Sequence, residues 1–267
     1  MSPRRVSHSL LDPHIGPVLA SLYPRLKIPR RFPPEGIVAC GHFMAAVGGF
    51  GFACSVDYVW GGALAAIGVA GNHLCDCVDG THARATDQCR NGGELLDHFT
   101  DPLSFSYWMI GLAIATSAWP WAVVAVLLIM AMAVLTNIRA KMLGEFRLER
   151  IGPTEFKAFL FATGVVIAGV QLVGMTSVLP SGSVASWAVA RGVLVGLVAV
   201  GAWKLPWSLA KSVSEVNRDG GEVDREPWTL ATRLQQNAEG RDPSERADRT
   251  YNASEPGTRE WSGAGSV

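Results

Sequence analysis

What the chain has little of narrows its class first. Only 17% of its 267 residues are charged, against 49% apolar, a balance too apolar for an ordinary soluble domain. Its 23 basic and 23 acidic residues cancel, so the cationic excess that grips nucleic acid is missing and no such partner is expected. Residues 1–35 contain no apolar core of the signal-peptide type, which predicts an uncleaved anchor. The five cysteines, Cys40, Cys54, Cys75, Cys77 and Cys89, are an odd number and fall in apolar runs or on the side expected to be cytoplasmic. A disulfide framework is therefore not expected. Cys75 and Cys77 lie two apart on a helix and point to different faces, and no structural zinc spacing accompanies them. No internal repeat is visible.

Long apolar runs are what the chain has instead. Six of them, at about 37–56, 58–78, 98–118, 120–138, 156–177 and 184–204, each approach the length that crosses hydrocarbon. The connections after the first, third and fifth runs carry no Lys or Arg, whereas basic residues gather at 4–31, 84–90, 139–157 and 204–211. That asymmetry predicts cytoplasmic termini and a cytoplasmic loop between the second and third runs. Arg191 is the exception, expected to snorkel outward from the sixth run. The predicted fold is an all-α integral membrane protein with six transmembrane helices spanning 36–206. Before it, residues 1–35 form an interfacial segment, with Leu11, Ile15, Val18, Leu19, Leu22 and Leu26 at helical spacing. After it, residues 207–267 read as a polar, disordered cytoplasmic tail with one short helix near 228–236.

The stretch from Asn72 to Asp101 organises the rest. Asp76 and Asp79 share one helix face, as do Asp97 and Asp101. If the second and third runs are neighbouring helices, all four carboxylates converge at one membrane edge. Clustered anions beside hydrocarbon repel one another and lose hydration, so they require cations. Oxygen ligands favour a hard ion such as Mg²⁺ or Mn²⁺. Gly80 lets a backbone approach a ligand closely, and Arg84 offers a planar fork to a diphosphate. Asn72, one turn before Asp76, either orients a carboxylate or bonds a neighbouring helix. Pro102, directly after Asp101, predicts a kink or a late helix start.

Asp76-x2-Asp79-Gly80-x2-Ala83-Arg84-x8-Gly93-x3-Asp97-x3-Asp101 matches the signature of the CDP-alcohol phosphotransferase family, which the chain resembles at every fixed position. The run Gly93-Glu94-Leu95-Leu96-Asp97-His98, with Asp101 and the later Pro153-Thr154-Glu155, is most similar to the choline/ethanolamine phosphotransferase branch. The resemblance implies a CDP-linked alcohol that loses CMP as an acceptor hydroxyl attacks the β-phosphorus. It implies two divalent cations, Mg²⁺ or Mn²⁺, held by Asp76, Asp79, Asp97 and Asp101. Gly80, Ala83, Arg84 and Gly93 then cradle the nucleotide diphosphate, and Asp101 either completes a metal shell or takes the acceptor proton. His98 is a second candidate base, or a hydrogen-bond partner of an aspartate or the backbone.

Arg139, Lys141 and Glu155 are read as lining the cytoplasmic mouth, where they would help choose the head group; Pro153 and Glu155 also suit simple helix-start chemistry. The branch implies CDP-choline or CDP-ethanolamine as donor and diacylglycerol as acceptor. The alternative is a CDP-diacylglycerol donor with glycerol phosphate, serine or inositol phosphate as acceptor. The resemblance also implies a homodimer. An alternative of another class is a cation transporter, which predicts acids near the midplane of several helices.

Overall fold

The structure, a computed structural model, describes residues 4–7, 9–148, 152–176 and 182–221. Seven helices account for nearly all of these residues: α1 (Asp12–Leu26), α2 (Pro34–Cys54), α3 (Val59–Thr86), α4 (Asn91–Ala115), α5 (Trp119–Leu143), α6 (Pro153–Thr176) and α7 (Gly182–Asp219). The six expected spans fall one each on α2 to α7. Of these, α2, α5, α6 and α7 are long and apolar enough to cross a membrane. Helices α3 and α4 have the length, 28 and 25 residues, but their facing ends carry the polar Asn72–Asp101 stretch. The chain is an all-α integral membrane protein.

Local chemistry sets the helix ends. Proline, whose missing N–H costs nothing in a first turn, stands at the start of α2 (Pro34), α5 (Pro120) and α6 (Pro153). Left-handed residues close α3 at Asp87 (φ 60°) and α5 at Gly144 (φ 67°). Of the two outcomes expected of Pro102, a late helix start does not occur. Helix α4 begins at Asn91 and runs through it, so only the bond to the His98 carbonyl is given up. A second departure lies at the far end, where α7 continues to Asp219, past the expected boundary at 206. Residues 207–219 are helical because apolar positions such as Leu209 and Val213 continue the pattern on that helix. The expected tail and its short helix near 228–236 otherwise lie outside the described residues. A third is a two-stranded parallel pair, β1 (Arg4–Ser7) with β2 (Glu145–Leu148), which ties the N-terminal segment to the end of α5.

Hydrophobic attraction does not separate helix from lipid inside a bilayer, so close packing and interhelical hydrogen bonds must hold the bundle. Helix α2 supplies the closest seams. A Cβ at Gly68 of α3 would collide with the Gly48 backbone, and one at Gly111 of α4 with the Gly49 carbonyl. Between them Trp108, fully buried, donates from Nε1 to the Ala45 carbonyl at 3.0 Å. His42 adds a 3.1 Å bond to the Tyr107 hydroxyl. At the end away from the aspartates, Gln171 of α6 donates to the Val56 carbonyl at 2.5 Å and closes α2. Arg191 of α7 donates to the Thr116 carbonyl at 3.2 Å beyond α4, so it ends on a backbone oxygen as well as against Trp187. Exposed Tyr58, Trp60, Trp119 and Trp187 gather at this end, and Trp203 and Trp207 face outward near the other. Trp187 and Trp207 are both exposed on α7 and, at 1.5 Å per residue, stand roughly 30 Å apart, the thickness of a hydrocarbon core.

The α2–α3 seam leaves no room for a methyl group. Gly68→Ala should cost about 1–3 kcal/mol, read as a lowered thermal midpoint in detergent. Gly192→Ala, where an added Cβ meets nothing within 4 Å, should be neutral or stabilising by about 0.5–1 kcal/mol.

Candidate active site

The last turns of α3, the first turns of α4 and the start of α6 meet at one end of the bundle, beside α1. They enclose a cavity of about 620 Å³. Asp76, Asp79, Gly80, Ala83, Arg84, Gly93, Asp97, His98 and Asp101 all line it, so the structure brings together the whole signature and the candidate base beside it. Asp79 is buried and accepts a hydrogen bond from the Gly80 amide. At Gly80 a Cβ would lie 3.3 Å from Arg84 Nη1, so the guanidinium folds back along the helix close against the glycine. At Gly93 an added Cβ would meet nothing within 4 Å, so the start of α4 opens onto free space within the cavity wall.

Sequence reasoning counted Lys157 only among the basic flanks. In the structure its side chain is 1% exposed, and Nζ donates to Asp76 Oδ2 at 2.9 Å and to Asp101 Oδ1 at 3.0 Å. One ammonium thus links α6 to both acid-bearing helices. The signal for it was available: a lysine just inside an apolar run needs a partner. Other groups in the wall were also missed. His73 Nδ1 is 3.5 Å from Asp76 Oδ2, and Arg90 reaches Glu35 Oε1 at 3.5 Å; all four residues line the cavity. Cys77 is in the wall too, whereas Cys75 backs onto Gly41 of α2.

Four expected residues are placed elsewhere. Asn72 is buried and donates to the Gly41 carbonyl of α2 at 3.0 Å, the helix-joining alternative of its two readings. Arg139 pairs with Glu215 of α7 at 2.6 Å, and Lys141 is exposed at the end of α5; neither lines the cavity. Glu155 is bound to backbone and hydroxyl groups: its Oε1 accepts from Ser9 Oγ at 2.6 Å and from the Leu10 and Leu11 amides at 2.8 and 3.0 Å. Oε2 accepts from the Gly152 amide at 2.8 Å. A carboxylate suits that place, because it satisfies amide donors left unpaired ahead of α1. Its neighbour Thr154 donates to Asp12. Together they fasten α1 so that Asp12, Gly16, Pro17 and Ala20 form one wall of the cavity.

The opposite end of α1 is held by His82, which is fully buried. Its Nε2 lies 2.8 Å from the Phe32 carbonyl and so carries the proton; Nδ1 then accepts from the Tyr23 hydroxyl at 2.9 Å.

The family model described as CDP-alcohol phosphatidyltransferase matches residues 37–203, most of the chain, including Asp76, Asp79, Asp97 and Asp101 of the cavity. The chain belongs to this family. Among curated proteins none matches it. CDP-alcohol phosphatidyltransferases are transferases that move a phosphate-bearing group from a CDP-alcohol in phospholipid synthesis, and divalent cations are used in the family. Asp76, Asp79, Asp97 and Asp101 outnumber the Lys157 ammonium, which pairs with two of them, and the Arg84 guanidinium beside them, and their oxygen donors suit hard divalent ions. The donor set therefore fits such cations. Among the described residues, the group of three donor atoms lying within 4.8 Å of one another is His73, Asp76 and Cys77, so the aspartate oxygens are not drawn around a single point. The matched region starts after α1, so the wall that α1 contributes lies outside the matched span.

Glu155 should matter to that wall rather than to chemistry. Glu155→Ala should cost about 1–2 kcal/mol, as the loss of a helix-capping carboxylate does. Faster hydrogen exchange at the Leu10 and Leu11 amides would report it.

Proposed function

We propose that this transferase moves phosphoethanolamine or phosphocholine from its CDP-alcohol to the free hydroxyl of diacylglycerol, releasing CMP. One observation carries the reading: Asp76, Asp79, Asp97 and Asp101 share a cavity with Gly80, Arg84 and Gly93. A diphosphate brings negative charge, and the Arg84 guanidinium can bond two of its oxygens at once. Gly80 and Gly93 leave room for those oxygens close to the backbone.

Asp76, Asp79, Asp97 and Asp101 would hold two divalent cations, Mg²⁺ or Mn²⁺. When bound, these supply charge neutralisation on the diphosphate and on the departing CMP. The acceptor oxygen forms a bond to the β-phosphorus, and the bond from that phosphorus to the bridging oxygen breaks. CMP leaves with the bridging oxygen and its electron pair. The acceptor proton passes to a carboxylate oxygen of Asp101 or to a ring nitrogen of His98. Both line the cavity.

Placement supports a lipid reactant. The cavity lies at one end of the bundle, near the level of the exposed Trp203 and Trp207, where a soluble nucleotide and a membrane-held hydroxyl can meet. The basic residues flanking the apolar runs support a cytoplasmic site and cytoplasmic termini. The enzyme works as a homodimer, as its resemblance to the family implies. Acids at one end of two helices, not along the midplane of several, speak against ion transport.

Purified protein given each labelled donor in turn tests the substrate assignment. CMP release from CDP-ethanolamine or CDP-choline with diacylglycerol, and none from CDP-diacylglycerol with glycerol phosphate, serine or inositol phosphate, is the expected result. The reverse pattern would reassign donor and acceptor.

Asp97→Asn removes one anionic ligand while preserving shape. CMP formation should fall at least about a hundredfold, as losses of charge-stabilising groups do, with membrane insertion unchanged. Retained turnover would remove Asp97 from metal binding.

A further inference from the structure

Lys157 has no part in the transfer just described, yet its ammonium is bound to two of the acids that line the cavity. Its stem rises from α6 past Phe105, whose ring centre is 5.9 Å from Nζ. The ammonium is almost wholly out of solvent and reaches Asp76 of α3 and Asp101 of α4 at 2.9 and 3.0 Å. A charge so placed is tolerated only while its partners are present, whereas Asp76 and Asp101 keep about a quarter of their side-chain surface exposed, at 26% and 24%. Those two partners are acids proposed above to bind divalent cations. An ammonium and a metal ion cannot both draw fully on the same carboxylate oxygens, because they compete for the anions and repel each other.

We propose that Lys157 is an internal counter-ion. It holds Asp76 and Asp101 together in the metal-free protein and competes with divalent cations for their oxygens, so that metal affinity is set by displacement of a lysine rather than by four free carboxylates. The spread of the aspartate oxygens agrees with this. The ammonium bridges two of the four acids, and no three aspartate oxygens close around one point among the described residues. Lys157 is on this reading a positioning residue, acting through Asp76 and Asp101. The inference rests on the metal-binding reading of the aspartates, and one experiment separates failure of either.

Full-length protein in detergent is titrated with Mn²⁺, and free Mn²⁺ is followed by electron paramagnetic resonance. Thermal unfolding is measured in parallel with chelator and with saturating Mn²⁺. Lys157→Met should bind Mn²⁺ about tenfold or more tightly than the wild type, and Mn²⁺ should raise its unfolding midpoint further than it raises that of the wild type. Lys157→Arg, which keeps the charge, should stay near the wild type. If Lys157→Met is too unstable to purify with chelator, recovery in the presence of Mn²⁺ supports the proposal, since the metal then replaces the ammonium. Failure in both conditions overturns it. Mn²⁺ binding by Lys157→Met that is equal to or weaker than wild type also overturns it, including the case where donor binding alone is lost and Lys157 belongs to the diphosphate. A wild type that binds no Mn²⁺ sensitive to Asp97→Asn brings down the metal reading itself, a separate result.

Discussion

Acids at the edge of a bilayer must be matched by cations or they drive the helices that carry them apart. This chain gathers four of them where α3 ends and α4 begins, and it meets the demand from a third helix with the Lys157 ammonium. Much of the architecture can be traced to that need. Helix α6 must start at the same end, and it packs against α3 through Gly62 and Gly164, where a Cβ on either would strike the other's backbone. Helices α3 and α4 must converge, and the glycine seams of α2 let both come close to it. The far end of the bundle is closed differently, by neutral or singly charged side chains on bare carbonyls, Gln171 on α2 and Arg191 beyond α4. One end is thus sealed and the other kept polar and open.

The parts legible in the sequence were those that repeat a spacing or a length. Apolar runs gave the helices from α2 to α7, and three- and four-residue spacings placed each pair of aspartates on one face. The fixed positions from Asp76 to Asp101 all reached a single cavity because they sit on two helices joined by a short turn at Asp87–Arg90. What remained hidden depended on contacts between distant residues. Glu155 looked like an ordinary first-turn acid of α6, but its Oε1 is filled by residues 9–11, from the opposite part of the chain. Arg139 looked like a mouth residue until α7 proved long enough to bring Glu215 alongside.

Asn72 had two plausible uses, and only the position of Gly41 on the neighbouring helix decides between them. The pairing of β1 with β2 had no local signature, since each strand is four residues long and finds its partner across the chain. Lys157 is a different case. Its position within an apolar run was visible, and counting it with the other positive charges concealed what that burial requires.

The first turn of α6 is shared more widely than its length suggests. Thr154 and Glu155 grip α1, and Lys157, less than one turn on, grips Asp76 and Asp101. The α1 wall of the chamber and two of the acids that line it are therefore tied to the same short piece of backbone. A displacement of α1 would be felt three residues on by the lysine that joins those acids, so the wall and the acid pair cannot shift independently.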